Sequence, residues 1–443
     1  MWTNPVVLSV LVMIILCLFK LNVILSLIIA ALVGGLLSGI PLGETMGVLI
    51  DGMGGNASTA LSYILLGALA AALHKTGIAG VLAKNIVNWV KGKEILLVIV
   101  LAVVSSLSQN AIPVHIAFIP ILVPPLLGLM NRLKIDRRAA ASALTFGLKA
   151  PYVALPIGYG WIFHGIISSE MAANGMMVNQ GDIWRVMWIP GLAMVIGLLI
   201  AVFITYRKPR NYEDLREGMQ GISHSHGEVA ATQEEVKMTA KHWVALAGAV
   251  SALIIQISPL KSLHLGAIVG LVIMIAGGAI KWKDIDEMIS SGIGMMGFIA
   301  FVMLVAAGYG AVIRETGGVE TLVEAASGIM GGSKLVAATV MILVGLVITM
   351  GIGTSFGTIS IIAAIYVPLA SAMDFSLLAT VLLIGSAAAL GDAGSPASDS
   401  TLGPTAGLNI DGQHDHIWDT CVPTFLHYNI PIAILGIIGA IIL

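Results

Sequence analysis

The chain has 443 residues, of which 58% are hydrophobic and 10% charged, with a formal net charge of -2. A soluble domain carries about a quarter charged residues, so a mean hydropathy of +0.98 excludes a soluble globular protein and a disordered one. Cys17 and Cys421 give no disulfide framework or metal spacing, and no basic block points to nucleic acid. The composition is that of an all-α polytopic protein of the cell (inner) membrane.

A spanning helix needs roughly 20 mostly apolar residues. Ten stretches qualify: 4–19, 21–40, 57–74, 139–160 and 186–206, then 243–258, 265–280, 292–313, 376–400 and 421–443. The first is followed by Lys20 and preceded by no basic residue, which is not the layout of a secretory signal. Two more apolar stretches, 95–130 and 334–373, are interrupted by polar residues, at 105–113 and at 351–358. Both are expected to be re-entrant hairpins with tips inside the membrane, where irregular backbone is tolerated only against protein or a water-filled cavity.

Basic residues in short loops set orientation. With the polar loop 207–241 placed in the cytoplasm and both hairpins re-entrant, 17 of the 22 basic residues fall inside. Arg185, Lys261, Arg314 and Lys334 fall outside, and Lys149 stays within the membrane. Full spans in place of hairpins move a basic cluster, 91–93 or 132–138, to the outside. Both termini are then expected outside.

A shift of 240 positions lays the second half on the first, with Gly52 on Gly292, Gly54 on Gly294, Thr76-Gly77 on Thr316-Gly317 and Pro156 on Pro396. The expected fold is an inverted repeat, 1–206 and 242–443 joined by the linker 207–241. Each half holds five spans and one hairpin, with broken helices at the midplane. Such repeats mark secondary transporters, whose sites lie where helices are interrupted.

The interruptions are the two hairpin tips, the span around Thr145–Pro151 and Leu155–Gly160, and the span from Gly391 to Thr401. Proline and glycine there free backbone groups, and helix ends with nearby hydroxyls favour ions. Intramembrane ionisable groups are candidates by default. Asp392 and Asp399, seven apart, are able to face one cavity if their helix is continuous, and both are sodium-ligand candidates. Lys149, at the matching break of the first half, either exchanges protons with a carboxylate, holds a solute carboxylate, or forms a static pair. His115 is a titratable group or a packing residue. His224 and His226, and likewise His414 and His416, read as solvated rather than metal-binding.

The segments Gly353-Thr354-Ser355-Phe356-Gly357-Thr358 and Gly391-Asp392, Ser395-Pro396, Ser398-Asp399-Ser400-Thr401 resemble the NhaC-type sodium/proton antiporter family. That family usually carries a lysine-methionine pair where Ala393-Gly394 stands here, and a threonine in place of Ser400. These departures resemble a branch that includes amino-acid permeases, histidine carriers among them. The resemblance implies a homodimer with scaffold and transport parts and an elevator-like movement. It also implies cation or solute contacts at Thr354, Ser355, Thr358, Asp392, Ser395, Ser398 and Asp399, with Thr401 in the same motif. Ser108, Gln109 and Asn110 join them from the repeat alone. The leading function is sodium/proton exchange. A sodium- or proton-coupled amino-acid symporter is the alternative, and a channel or receptor fits the repeat less well. No cofactor and no enzyme chemistry are expected, since no nucleotide loop, helical metal pair or nucleophile–base pair is present.

Overall fold

The computed structural model describes residues 4–19, 21–78, 81, 94–110, 119, 123–213, 238–258, 260, 262–396 and 398–443. Apolar runs form helices because a bilayer offers the backbone no other hydrogen-bond partner, and serines mark where several begin. In the first half the helices are α1 (Pro5–Leu18), α2 (Val23–Leu37), α3 (Leu42–Met53), α4 (Ala57–Lys75), α5 (Glu94–Asn110), α6 (Pro124–Arg132), α7 (Arg137–Ala154), α8 (Tyr159–Ala173) and α9 (Trp184–Ile200). In the second they are α10 (Ala240–Ile257), α11 (Leu263–Ala276), α12 (Ile285–Glu315), α13 (Gly318–Met330), α14 (Lys334–Ile352), α15 (Ser355–Ala372), α16 (Leu377–Ala389), α17 (Asp399–Leu408) and α18 (His416–Ile442). Ser333, Ser376 and Ser398 cap α14, α16 and α17 through their side chains.

Several boundaries differ from the sequence expectation. The span expected at 57–74 is the second part of one run, Leu42–Lys75, that passes through a tight turn at Gly54–Asn56. Glu44, Asp51 and the glycines of α3 had lowered its hydropathy. The span expected at 139–160 stays helical to Ala154, Pro151 included, and breaks only at residues 155–158. There α8 departs at 49°. The span expected at 376–400 ends at Ala389 and restarts at Asp399. Among the described residues, six helices are long and apolar enough to cross a membrane, or seven with the bent pair α7–α8, against the ten spans expected. Four of the expected spans are the shorter apolar helices α1, α2, α10 and α11, while α15, expected as a hairpin arm, is among the six long ones.

The first interrupted stretch is helical to Asn110, and residues 111–118, His115 among them, lie outside the described residues. So do His224 and His226. The second is a helical hairpin. Gly353 takes a left-handed φ of 74° and Thr354 is extended. The Tyr366 hydroxyl then donates to the Met341 carbonyl. These residues stand equally far from the turn along the chain, so α14 and α15 run antiparallel.

At the centre, α12 packs along α3 and α4 through glycines. A Cβ at Gly52 would lie 2.9 Å from Gly308 Cα, and one at Gly292 would lie 2.4 Å from Ala68 N. Under the 240-residue shift these are one contact with the halves exchanged. Buried side chains fill the interior, while Trp188, Phe203, Ile254, Val272, Phe298 and Val347 are exposed. So much exposed apolar surface belongs against lipid or another apolar partner.

Candidate functional site

Three side chains of α7, Thr145, Lys149 and Tyr152, are spaced by four and three residues and so share one helical face. Lys149 is 0% exposed. Its Nζ lies 2.7 Å from Asp392 Oδ2 and 3.3 Å from Ser355 Oγ. The Tyr152 hydroxyl stands 3.1 Å from both Asp392 Oδ2 and Ser355 Oγ. Ser355 Oγ donates to Asp392 Oδ2 at 2.6 Å, and Ser398 Oγ donates to Asp392 Oδ1. Ser355 opens α15 and Ser398 caps α17, so the carboxylate also sits at two helix N-termini, where partial positive charge favours an anion. An ammonium, three hydroxyls and two helix N-termini converge on the Asp392 carboxyl group.

The backbone makes this possible by unwinding between α16 and α17. Gly391 has φ +74°, and a Cβ there would lie 2.7 Å from Met350 N and 2.9 Å from Leu346 O, so only glycine fits. A single turn, Asp392–Gly394, follows. Hydroxyls satisfy the freed carbonyls. Thr401 donates to the Ser395 carbonyl at 2.6 Å, Ser395 to Met350 at 3.1 Å, Ser400 to Asp392 at 3.0 Å, and Thr145 to Ser400 at 2.7 Å. The tip of the α14–α15 hairpin therefore rests on the break through Met350 and Ser355.

Of the residues proposed from sequence, the structure gathers Lys149, Ser355, Asp392 and Ser398 on one carboxylate. Ser395 and Thr401 serve the unwound backbone, and Thr358 bonds the Thr354 carbonyl within its own helix at 2.7 Å. Ser108, Gln109 and Asn110 occupy the last turn of α5, which packs on α7. Asp392 and Asp399 do not share a continuous helix: one lies in the break, the other starts α17. Asp399 is half-buried and makes no ion pair among the described residues. Lys149 is taken by Asp392, and no cation pairs with Asp399 among the described residues. Among the described residues no three His, Cys, Asp or Glu side chains gather as a metal site.

The sequence reading missed Tyr152, although its position three residues after Lys149 was a usable signal. It also missed Gln256 of α10. That amide plugs the other break, accepting from Gly158 N at 2.9 Å and donating to Gly158 O at 3.3 Å. A ring of aromatics beside the carboxylate went unread as well: Phe356 lies 5.1 Å from Tyr152, 5.5 Å from Phe163 and 5.6 Å from Tyr63 between centroids. Toward the far end of α8, Glu170 accepts from Ser360 at 2.8 Å and lies 3.9 Å from Arg314. At the opposite end, Arg137 pairs with Asp411 at 2.5 Å and donates to the Leu408 carbonyl at 2.9 Å. His414 is buried there and bonded to Thr420 at 2.7 Å. Burial pulls its imidazole down to about 4.

A protein from Bacillus subtilis, named "Putative amino acid transporter YuiF", is 48% identical over 99% of this chain and 100% of its own length. An uncharacterized membrane protein of Vibrio parahaemolyticus is 47% identical over 99% and 100%. One from Haemophilus influenzae is 44% identical over the whole of both chains. The solved structure of Neisseria gonorrhoeae MtrF, described as illuminating a class of antimetabolite efflux pumps, has a TM-score of 0.61 at 15% identity over 91% of this chain and 85% of its own. The Alcanivorax borkumensis YdaH transporter, described as having an unusual topology, has a TM-score of 0.59 at 14% identity over 90% and 88%. At such identities these two establish the fold, a membrane-transporter fold. Models of the Na+/H+ antiporter family match residues 143–439, which contain the whole Lys149–Asp392 centre, and residues 4–90. This multi-pass membrane protein therefore belongs to the Na+/H+ antiporter family.

Proposed function

We propose that the chain is a cation-coupled secondary transporter that exchanges sodium for protons at Asp399. The observation that carries this reading is the buried Lys149–Asp392 pair. It neutralises one carboxylate and leaves Asp399 beside it in a broken helix, with one excess negative charge. One sodium ion or one proton balances that charge, and competition between them for a single carboxylate is the chemistry of exchange. Serine hydroxyls and the carbonyls of the break supply the oxygen ligands that hard cations take. Lys149 acts as a fixed counter-charge, and Asp392 as the anchor that ties α7, α15 and α17 together.

The finer architecture is proposed with it. The exchanged Gly52–Gly308 and Gly292–Ala68 contacts support an inverted repeat of 1–206 and 242–443 joined by 207–241. The antiparallel α14–α15 pair supports a re-entrant hairpin whose tip carries Ser355 to the midplane. The basic-residue count supports a cytoplasmic loop 207–241 and external termini. A homodimer follows the family resemblance.

A second reading, coupled amino-acid transport, is favoured by the name of the Bacillus subtilis relative. In it Asp399 still takes the coupling ion, and Lys149 releases Asp392 to hold a solute carboxylate. Proteoliposomes with sodium and pH gradients set independently separate the two. Sodium efflux that drives proton uptake with no added solute supports exchange. Sodium flux that appears only with an amino acid present sinks exchange and favours the second reading.

A further inference from the structure

Helices α5 and α9 both pack on α7, and at the α6–α7 end they converge on a half-open cavity of about 350 Å³. Its floor is apolar, built from Val98, Ala139 and Val202, with Phe203 as a wall. Its rim carries Lys134, Arg207 and Lys208, all exposed. The chain after α9 is pinned there because Arg210 N donates to the Lys134 carbonyl at 2.9 Å. Lys134 itself takes a left-handed φ of 54°, a conformation uncommon for a residue with a side chain. The backbone thus holds three cations round one mouth, and none makes an ion pair among the described residues.

Two acidic residues also line the cavity. Asp136 is committed, as its carboxylate accepts from the Arg138 guanidinium at 2.6 Å and from Arg138 N at 3.0 Å. Glu94 is exposed at the rim and offsets one of the three cations, so the mouth stays positive. Away from the mouth, α5 exposes Ile99 and Val103, and α9 exposes Ile196 and Leu199. An apolar furrow that ends in a cationic mouth, at the level where membrane helices stop, matches an amphiphile with an anionic head.

We infer that this cavity binds one anionic phospholipid, with its phosphate among Lys134, Arg207 and Lys208 and an acyl chain along α5 and α9. Basic pockets between helices at the membrane boundary suit anionic head groups. A soluble phosphate has no use for the apolar floor. A zwitterionic lipid brings an ammonium that three free cations repel.

The test is native mass spectrometry and thermal unfolding of the purified full chain in detergent. Phosphatidylglycerol, phosphatidylcholine of the same acyl chains and inorganic phosphate are added separately. Wild type is expected to retain phosphatidylglycerol and to unfold at a higher temperature with it, with little effect from the other two. Each cation contributes about a factor of five, so Lys134→Gln, Arg207→Gln and Lys208→Gln together weaken phosphatidylglycerol binding roughly a hundredfold. Exposed positions leave unfolding without lipid unchanged, and the Lys134→Arg/Lys208→Arg variant retains binding. Equal binding of phosphatidylcholine, an equal shift with inorganic phosphate, or undiminished phosphatidylglycerol binding by the triple variant would overturn the assignment. A Phe203→Cys chain that cross-links to a second copy and retains no lipid would also overturn it.

Discussion

Replacing Lys149 by methionine removes the one cation of the buried centre and leaves its shape nearly intact. Asp392 then stays buried without a counter-charge. Breaking a buried pair from one side costs about 3–5 kcal/mol. The hydroxyls of Tyr152, Ser355 and Ser398 still reach the carboxylate, which places the loss near the lower end, at about 3 kcal/mol. Adding Asp392→Asn removes the stranded charge, so the double variant recovers most of that loss. The excess negative charge rises from one to two in the single variant, so sodium protects it from unfolding more than it protects wild type. Thermal unfolding in detergent, with sodium or with a large organic cation, measures all three effects. A Lys149→Met chain as stable as wild type, or a double variant as unstable as the single one, refutes the charge-compensation reasoning.

Gly391→Ala should lose about 1–3 kcal/mol and all transport, because φ is +74° and Met350 N leaves 2.7 Å for the new carbon; unfolding midpoint and flux check it together. Cysteines placed singly at Lys334 and Asp374, either side of the α14–α15 hairpin, should label from the same face of the membrane if the hairpin is re-entrant. Gln256→Leu leaves the Gly158 amide without its partner and should destabilise by about 1–3 kcal/mol, with the Lys149–Asp392 coupling energy unchanged. Arg137→Gln strands Asp411. Burial raises that carboxyl, but the Arg137 hydrogen bonds and charge outweigh it and hold the group below its ordinary 3.8. A lowered folded value means stabilisation present above about 3.8 and lost as pH falls through the folded value. Wild type should therefore hold its advantage over Arg137→Gln across neutral pH and lose it only in strong acid, as pH-dependent unfolding will record.

The helices were legible because membrane helices are written as apolar runs, and the 240-residue shift that pairs Gly52 with Gly292 also pairs their contacts, Gly308 and Ala68. Where polar residues enter a helix, the reading failed. Glu44 and Asp51 hid α3, Ser168, Ser169 and Glu170 hid the end of α8, and two glutamates in Gly318–Met330 hid α13. Proline also misled. Pro151 is accommodated within α7, and the chain breaks after it, where Gly158 adopts φ +60°. At the centre, charge rarity pointed to Lys149, Asp392 and Asp399, while their pairing depends on how α7 meets the hairpin and the unwound segment. Periodicity gave Asp392 and Asp399 a common face, and the break abolished it. Tyr152 and Gln256 carry no charge; Tyr152 was marked only by standing three residues after Lys149, and Gln256, a neutral polar residue in an apolar span, by nothing short of the fold.

In the proposed exchange Asp399, and not the paired Asp392, carries the coupling ion. Calorimetric sodium titration in buffers of differing ionisation enthalpy measures ion binding and proton release together. Wild type should bind sodium and release protons as it does so. Asp399→Asn should remain folded, bind no sodium and release no protons. Sodium binding and proton release by Asp399→Asn at wild-type levels would place the coupling ion elsewhere than Asp399.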